Sequence, residues 1–291
     1  MQVILENEEL RIEINRFGAE LTRIYGKKND TEYLWNADPK YWKRSSPVLF
    51  PFVGSLKNKE YRFEGKTYPM GQHGFARDME FVIDSQSESE AWFSLTSNEE
   101  TLEKYPFEFV LRVGYQLQGK ELKVLWQVEN PAQKEMYFSI GGHPAFMCPL
   151  KQEGKQSDYY LKFDSAKPLS YGLVNEQGLM METEEILQTE NGIVKITDNM
   201  FDRDALVIER RQATAVSLCT PDQKEYLTVR FDAPLFGVWS PAGKGAPFIC
   251  IEPWYGRCDR ATFNGSLEER EYGNTLKAQE TFKTEYVILI G

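Results

Sequence analysis

The sequence predicts an all-β protein, built as one large antiparallel β-sandwich with a few short helices. Alternation of apolar and polar residues with a period of two dominates the 291-residue chain, and this period is typical of half-buried strands. Long amphipathic helices, which would link the strands of a parallel sheet, are not indicated. No repeat or flexible linker divides the chain, so we expect residues 1–291 to form a single domain.

The clearest local element is a hairpin in the middle of the first half of the chain. Residues 109–117 and 122–128 each place apolar side chains at alternate positions. The segment Gln118-Gly119-Lys120-Glu121 lies between them and supplies the glycine that tight hairpin turns favour. We therefore predict two antiparallel strands joined by this turn.

Other segments share the alternation and are also predicted as strands, namely 10–14, 61–63, 227–231 and 286–290. A turn is predicted at Glu64-Gly65-Lys66. Helical signals are few. Ser97 and Glu100 have the spacing of a capping box ahead of a short segment ended by Pro106, and Ser266 with Glu269 indicates another brief helical turn.

Composition limits the partners and the location of the protein. The chain has 34 basic and 44 acidic residues, for a net charge of −10, and no basic run suited to nucleic acid or an acidic membrane. The longest uncharged stretch, 136–150, is too short and too broken by glycine and proline to span a bilayer. Four cysteines without C-x-x-C spacing and an acidic N-terminus without a signal peptide predict a reduced, cytoplasmic protein.

Common motifs for phosphate and metal binding fail in detail. Residues 237–245 resemble a phosphate loop but have five residues between the glycines instead of four, and glycine where Ser or Thr is needed. Asp198, Asp202 and Asp204 lack the spacing of a calcium loop. With two histidines in the whole chain, we expect no metal site.

Segments that break the alternation predict a binding site. They are apolar, carry glycine and proline, and cover 45–55, 71–77, 139–146 and 250–256. Apolar surface with a few fixed polar groups is typical of a concave ligand site. Both histidines, His73 and His143, and one carboxylate, Glu252, lie in these segments. Imidazole and carboxylate are the natural pair for moving protons near neutral pH.

Four ordered motifs resemble those of the aldose 1-epimerase (galactose mutarotase-like) family. They are Pro47-Val-Leu-Phe-Pro-Phe-Val-Gly54, Gly71-Gln-His-Gly-Phe-Ala-Arg-Asp78, Gly141-Gly-His-Pro-Ala-Phe146 and Phe248-Ile-Cys-Ile-Glu-Pro-Trp254. The resemblance covers nearly the whole chain and is closer to the bacterial branch that carries His-Gly-Phe-Ala-Arg. It implies a β-supersandwich and cofactor-free interconversion of the α and β anomers of a free aldose, in a monomer or homodimer.

The resemblance also implies roles for individual residues. Glu252 would be the base at the C1 hydroxyl, His143 the acid at the ring oxygen, and His73 a hydrogen-bond donor that stabilises developing charge. Sugar-binding roles would fall to Arg77, Arg44, Asp204 and Trp254, with Asp202 as an alternative to Asp204. Arg44 stands three residues before Pro47, so its register against the family's arginine is open, and Trp254 could equally be a core residue.

Three other functions stay open at this stage. A related branch acts on hexose 6-phosphates and uses arginines to hold the phosphate, which suits Arg77 and Arg44. A non-catalytic sugar-binding or sugar-sensing protein could use the same sandwich. A glycoside hydrolase could use Glu252 and Asp204 as its carboxylate pair.

Overall fold

Alternating burial organises the strands, as the sequence pattern predicts. The computed structural model describes residues 2–291. The strand at Leu10–Asn15 buries Leu10, Ile12 and Ile14 and leaves the intervening residues partly exposed. Residues from Val3 to Ile290 share one cluster of buried apolar side chains, so the large sheets pack on a common core.

The strands are distributed along the whole chain. In the first half they are β1 (Gln2–Glu6), β2 (Leu10–Asn15), β3 (Leu21–Gly26), β4 (Thr31–Glu32), β5 (Val48–Leu49), β6 (Glu60–Phe63), β7 (Lys66–Pro69), β8 (Val82–Gln86), β9 (Glu90–Thr96), β10 (Val110–Gln118), β11 (Glu121–Glu129), β12 (Met136–Phe138), β13 (Ile140–Gly142) and β14 (Ala145–Met147). In the second half they are β15 (Tyr160–Phe163), β16 (Leu169–Val174), β17 (Met180–Leu187), β18 (Ile193–Lys195), β19 (Leu206–Ile208), β20 (Ala215–Cys219), β21 (Glu225–Phe231), β22 (Leu235–Trp239), β23 (Phe248–Tyr255), β24 (Asn274–Leu276) and β25 (Thr281–Ile290).

Two large antiparallel sheets form the sandwich. One has nine strands in the order β18-β15-β20-β21-β25-β11-β10-β9-β8. The other has eight, in the order β17-β16-β19-β22-β23-β13-β5, with β14 also paired to β23. A smaller sheet, β1-β2-β3-β4, comes from the N-terminus, and the pairs β12-β24 and β6-β7 complete the described strands. The predicted all-β antiparallel sandwich is confirmed.

The predicted hairpins are present in the expected register. β10 pairs with β11 along their full lengths, ending with Gln118 opposite Glu121, and Gly119 has a φ of 55°. β6 pairs with β7 around Glu64 and Gly65, whose φ values of 48° and 75° are those of a type I′ turn. The predicted strands at 227–231 and 286–290 lie within β21 and β25.

Helices are short, and one predicted cap is wrong by a residue. Helix α1 (Glu99–Lys104) is capped by Asn98, whose side chain accepts a hydrogen bond from Thr101 N at 2.9 Å. Ser97 does not cap it, because its hydroxyl accepts from Phe109 N at 3.2 Å. The helix ends just before the Tyr105-Pro106 step, as the restriction on residues preceding proline predicts.

The remaining helical segments are single 3₁₀ turns at Lys57–Lys59, Ala76–Asp78, Leu150–Gln152, Gln156–Asp158 and Leu267–Glu269. The turn predicted from Ser266 and Glu269 is confirmed, because the Glu269 carboxylate accepts a hydrogen bond from Ser266 N at 2.7 Å.

Strand β23 separates the main core from a second face. All eight of its residues are buried, as expected for a strand covered on both sides. Ile249, Ile251 and Tyr255 belong to the main core, whereas Cys250 and Trp254 belong to smaller clusters on the opposite face. Because side chains alternate along a strand, Glu252 points to this second face.

Candidate active site

A cavity of about 300 Å³ lies against the second face of the eight-stranded sheet. Six of the residues predicted for the site line it, and Arg44 does not. The full lining is Trp42, Val53, Gly54, Gln72, His73, Arg77, His143, Val174, Gly178, Asp204, Ala205, Val207, Trp239, Glu252, Trp254 and Cys258. The volume is near the lower end for small-molecule sites.

The two central groups are a buried carboxyl and a buried imidazole. Glu252 lies in the middle of β23, opposite Gly237 of β22. His143 directly follows β13, and its backbone N donates to Pro47 O at 3.1 Å. His143 Nε2 lies 3.2 Å from Glu252 Oε2, but the two are not aligned as a hydrogen bond. Within residues 2–291, Glu252 Oε2 and His143 Nδ1 have no hydrogen-bond partner.

Burial shifts the pKa of both groups toward their uncharged forms. Burial raises the pKa of Glu252 well above its ordinary value. The negative charge of Asp204 raises this pKa further, whereas the side chain of Trp254 lowers it. Burial lowers the pKa of His143 to about 3, with the positive charge of Arg77 as the next cause. Both shifts favour the arrangement in which the Glu252 carboxyl carries a proton and the His143 imidazole is neutral. Moving that proton to His143 changes no net charge.

His73 is held as a neutral hydrogen-bond donor. Gly54 N donates to His73 Nδ1 at 3.0 Å, so the neutral ring carries its proton on Nε2. Burial lowers the pKa of His73 well below its ordinary value, and the neighbouring His143 adds to this. His73 has a φ of 66°, and at Gly74, with φ 69°, a Cβ would lie 2.2 Å from Phe50 O. The turn thus requires the glycine that follows the histidine.

Trp254 is both a wall of the cavity and a core residue. Its ring packs against two glycines, because a Cβ at Gly237 would lie 2.6 Å from Trp254 Cη2 and one at Gly141 would lie 2.7 Å from Trp254 Cδ1. The indole Nε1 has no hydrogen-bond partner within residues 2–291. The ring therefore packs in a core cluster and also lines the cavity, and its contact with a sugar stays a prediction.

The two predicted arginines occupy different places. Arg77 lines the cavity and donates from Nη2 to Gln72 O at 2.8 Å. Its Nε has no hydrogen-bond partner among the described residues and lies 3.7 Å from Asp78 Oδ2. Burial lowers the pKa of Arg77 to about 10, and the charge of Arg44 adds to this. Arg44 lies outside the lining and donates to Asp78 Oδ1 at 2.6 Å. Direct contact of Arg44 with a ligand stays a prediction.

Of the two aspartates considered, Asp204 faces the cavity. Its Oδ1 accepts a hydrogen bond from Ala205 N at 2.8 Å, and its φ is 69°. The residue is exposed overall, but partial burial of its carboxyl raises its pKa. Asp202 instead lines a separate groove of about 650 Å³.

Two tryptophans of the site were missed by the sequence analysis. The ring centroid of Trp42 lies 4.7 Å from that of His143, and the centroid of Trp239 lies 5.5 Å from it at a nearly perpendicular angle. Together they fix the imidazole plane. Trp239 belongs to the segment 237–245 that was tested only as a phosphate loop, and period-two alternation on β22 could have placed it on the same face as Gly237.

A carboxylate outside the cavity was also missed. Glu20 Oε1 accepts hydrogen bonds from Ser45 N at 2.7 Å and Ser46 N at 2.9 Å. The same turn supplies carbonyls that hold the segment of His143, since Ser45 O accepts from Ala145 N and Pro47 O accepts from His143 N. Glu20 therefore positions His143 through the backbone.

One set of side chains has the donors of a metal site, although no metal site was expected. Among residues 2–291, His143, Cys250 and Glu252 offer an imidazole nitrogen, a thiol and a carboxylate oxygen that all lie within 4.8 Å of one another. Cys250 and Glu252 are two residues apart on β23, a spacing that brings both to one face.

The fold is that of galactose mutarotase-like proteins. The galactose mutarotase related enzyme from Lactobacillus acidophilus is 34% identical, with a TM-score of 0.94 over 100% of this chain and 97% of its own. A galactose mutarotase-like protein from Lactobacillus casei is 32% identical, with a TM-score of 0.94 over the full length of both.

Sequence comparison agrees. The family model described as Aldose 1-epimerase matches residues 1–288, and the chain belongs to that family, as its motifs indicated. The chromosomal protein LacX of Lactococcus lactis subsp. lactis is 34% identical, with 100% of this chain and 99% of the relative covered. None of the helices within residues 2–291 is long and apolar enough to cross a membrane.

Replacing Glu252 with glutamine is expected to stabilise the folded protein at alkaline pH. Burial raises the pKa of Glu252 in the folded protein, whereas an unfolded glutamate titrates near about 4.3. The native protein therefore loses stability as the pH rises through the raised pKa, and this loss is absent below the unfolded value. Thermal melts of E252Q and wild type should coincide at about pH 4 and separate progressively as the pH rises toward the raised pKa, by roughly 2–4 °C for each kcal/mol.

Glu60→Gln is the matched control, because Glu60 is exposed on β6 and its carboxylate stays in water in both states. Its melting temperature should follow wild type at every pH. An E252Q curve that also follows wild type throughout would contradict the raised pKa.

Proposed function

We propose that the protein is an aldose 1-epimerase that interconverts the α and β anomers of a free hexose by general acid–base catalysis. One observation carries the proposal. Glu252 and His143 are buried side by side, with Oε2 and Nε2 3.2 Å apart, and they line a cavity of a size compatible with a sugar. The membership in the aldose 1-epimerase family supports a sugar substrate.

Ring opening requires two proton transfers. The Glu252 carboxylate takes the proton of the C1 hydroxyl, and the His143 imidazolium gives a proton to the ring oxygen as the bond between C1 and that oxygen breaks. The open sugar then faces a protonated Glu252 and a neutral His143. After rotation about the C1–C2 bond, the same two transfers run in reverse and close the ring on the other face.

This cycle matches the proton content of the pair. Burial favours a protonated carboxyl and a neutral imidazole. The pair reaches this same state when the sugar ring is open. A bound ring sugar must favour the charged arrangement, and its hydroxyls can supply the hydrogen bonds that Glu252 Oε2 and His143 Nδ1 lack within residues 2–291. Hydrogen bonds to a charged form favour that form.

Other residues of the cavity take binding roles in this proposal. His73 donates from Nε2 to the region of the ring oxygen and C1 and stabilises developing negative charge. Asp204 and Arg77 hydrogen-bond sugar hydroxyls, and Trp254 packs on the sugar. Arg44 donates hydrogen bonds to Asp78 and to the backbone carbonyl of Arg77, and so supports the position of Arg77. The chemistry consists of two proton transfers with cleavage and re-formation of the bond between C1 and the ring oxygen, and no atom is oxidised or reduced overall, so it calls for no cofactor.

Loss of either catalytic group should nearly abolish activity. E252Q and H143N are each expected to lower kcat by about 10²- to 10⁴-fold, the usual contribution of a positioned acid or base. Polarimetry of freshly dissolved α-glucose and α-galactose, corrected for spontaneous mutarotation, measures the rate. Asp202→Asn, in the separate groove, is the control and should keep wild-type activity.

Three outcomes would point elsewhere. Undiminished activity in H143A would favour a site in which His143 is not the acid. Sugar binding without anomerisation would favour a sensing role, and release of reducing ends from glycosides would favour hydrolysis.

The pH profile should report the shared proton of the pair. The active form holds one proton between Glu252 and His143, so kcat/KM should be flat through neutrality and fall on the alkaline side when that proton is lost. The charge of Asp204 raises the pKa of Glu252, so Asp204→Asn should move the alkaline limb to lower pH. Asp202→Asn should leave the limb in place, and an upward shift in Asp204→Asn would contradict the assignment.

A second candidate substrate is a hexose 6-phosphate. The observation that favours it is Arg77, which lines the cavity, has no hydrogen-bond partner for its Nε among the described residues, and has Arg44 beside it. Guanidinium groups pair well with phosphate. We expect glucose to be preferred over glucose 6-phosphate, and a preference of more than about tenfold (1.4 kcal/mol) for the phosphate would overturn this. If the hexose 6-phosphate is the substrate, Arg77→Met should weaken binding of the phosphorylated sugar only.

A further inference from the structure

We propose that His143, Cys250 and Glu252 bind a thiophilic divalent cation such as Zn²⁺ or Cd²⁺, and that this cation excludes the sugar. The three donor atoms lie within 4.8 Å of one another, and all three residues are buried. Cys250 and Glu252 share one face of β23, and His143 reaches the same place from the segment between β13 and β14.

The donor set is one that zinc prefers. Zinc binds imidazole, thiolate and carboxylate at about 2.0–2.3 Å, and tetrahedral geometry then separates the donors by roughly 3.3–3.8 Å. His143 Nε2 and Glu252 Oε2 already lie 3.2 Å apart, so shifts of about 1 Å bring the set into range. The fourth position faces the cavity and would hold water.

An independent observation also indicates that a ligand binds at this place. Glu252 is 1% exposed, and its Oε2 has no hydrogen-bond partner within residues 2–291. A buried carboxyl oxygen without a hydrogen-bond partner is costly. A cation at this point supplies a partner for that oxygen, and its charge offsets the charge that the carboxyl gains when it loses its proton.

Binding must release protons, because metal ligands bind deprotonated. The thiol of Cys250 and the carboxyl of Glu252 each lose one proton, and the neutral imidazole of His143 donates a lone pair. One cation therefore replaces two protons, and affinity should rise with pH. No oxidation or reduction takes place.

Competition with sugar rests on the proposed function, since it assumes that Glu252 and His143 serve as base and acid. Cation binding itself does not rest on it. A cation bound to both groups leaves neither free to move a proton, so Zn²⁺ should raise the apparent KM for the sugar with little change in kcat, and a chelator should restore activity.

The direct test is titration of the wild-type protein with Co²⁺, followed by displacement with Zn²⁺. We expect thiolate-to-cobalt charge-transfer absorption that grows to one equivalent and strengthens with pH. Cys250→Ser should abolish this band and weaken Zn²⁺ binding by at least about 100-fold, since loss of even an outer-shell partner costs about 10- to 100-fold. Cys258→Ser is the matched control, because Cys258 lines the same cavity but lies outside the donor set. It should bind as wild type does.

The outcomes separate the two proposals. Absence of the thiolate band up to about 1 mM Co²⁺, or its loss in Cys258→Ser but not in Cys250→Ser, overturns the cation site. If Cys250→Ser fails to fold, E252Q decides, because it removes a second ligand and should also weaken Zn²⁺. A wild-type protein that shows the band but anomerises no sugar would leave the cation site in place and contradict the proposed function.

Discussion

The site depends on one constraint, which is that a carboxyl group is buried on a strand covered on both sides. Glu252 lies at the centre of β23, with the main core behind the strand and the cavity in front. Burial raises the pKa of this carboxyl, so it favours the protonated form unless another group changes the balance. His143 is the group placed to do so, at 3.2 Å. The acid–base chemistry and the cation affinity proposed above both arise from this single placement.

Close packing around the pair explains why its neighbours are small or rigid. Gly141 and Gly237 let the ring of Trp254 lie beneath the cavity, and Gly74 lets the His73 turn approach Phe50 O. Trp42 and Trp239 hold the plane of the His143 ring. In a densely packed interior, side chains cannot move without displacing others, so these contacts fix the separation of Glu252 and His143.

Much of the fold and of the candidate site could be predicted from the sequence, wherever the local residue pattern determines the structure. The hairpin of β10 and β11 follows from alternation and one glycine, and His73, His143 and Glu252 stand out in segments that break the alternation. Local pattern also misled, since Ser97 has capping-box spacing but Asn98 makes the bond. Trp42, Trp239 and Glu20 escaped prediction because their roles come from contacts across the fold, and no spacing along the chain reveals which turn Glu20 binds.

The position of Glu20 gives the N-terminal sheet a part in function. Glu20 immediately precedes β3 of that small sheet, yet its carboxylate holds the turn whose carbonyls anchor the segment of His143. Local opening of part of a fold often costs less than global unfolding. If β1 to β4 opened locally, the segment of His143 would lose its anchor while the other residues of the cavity stay in place, so heat or protease would displace the proposed acid before global unfolding.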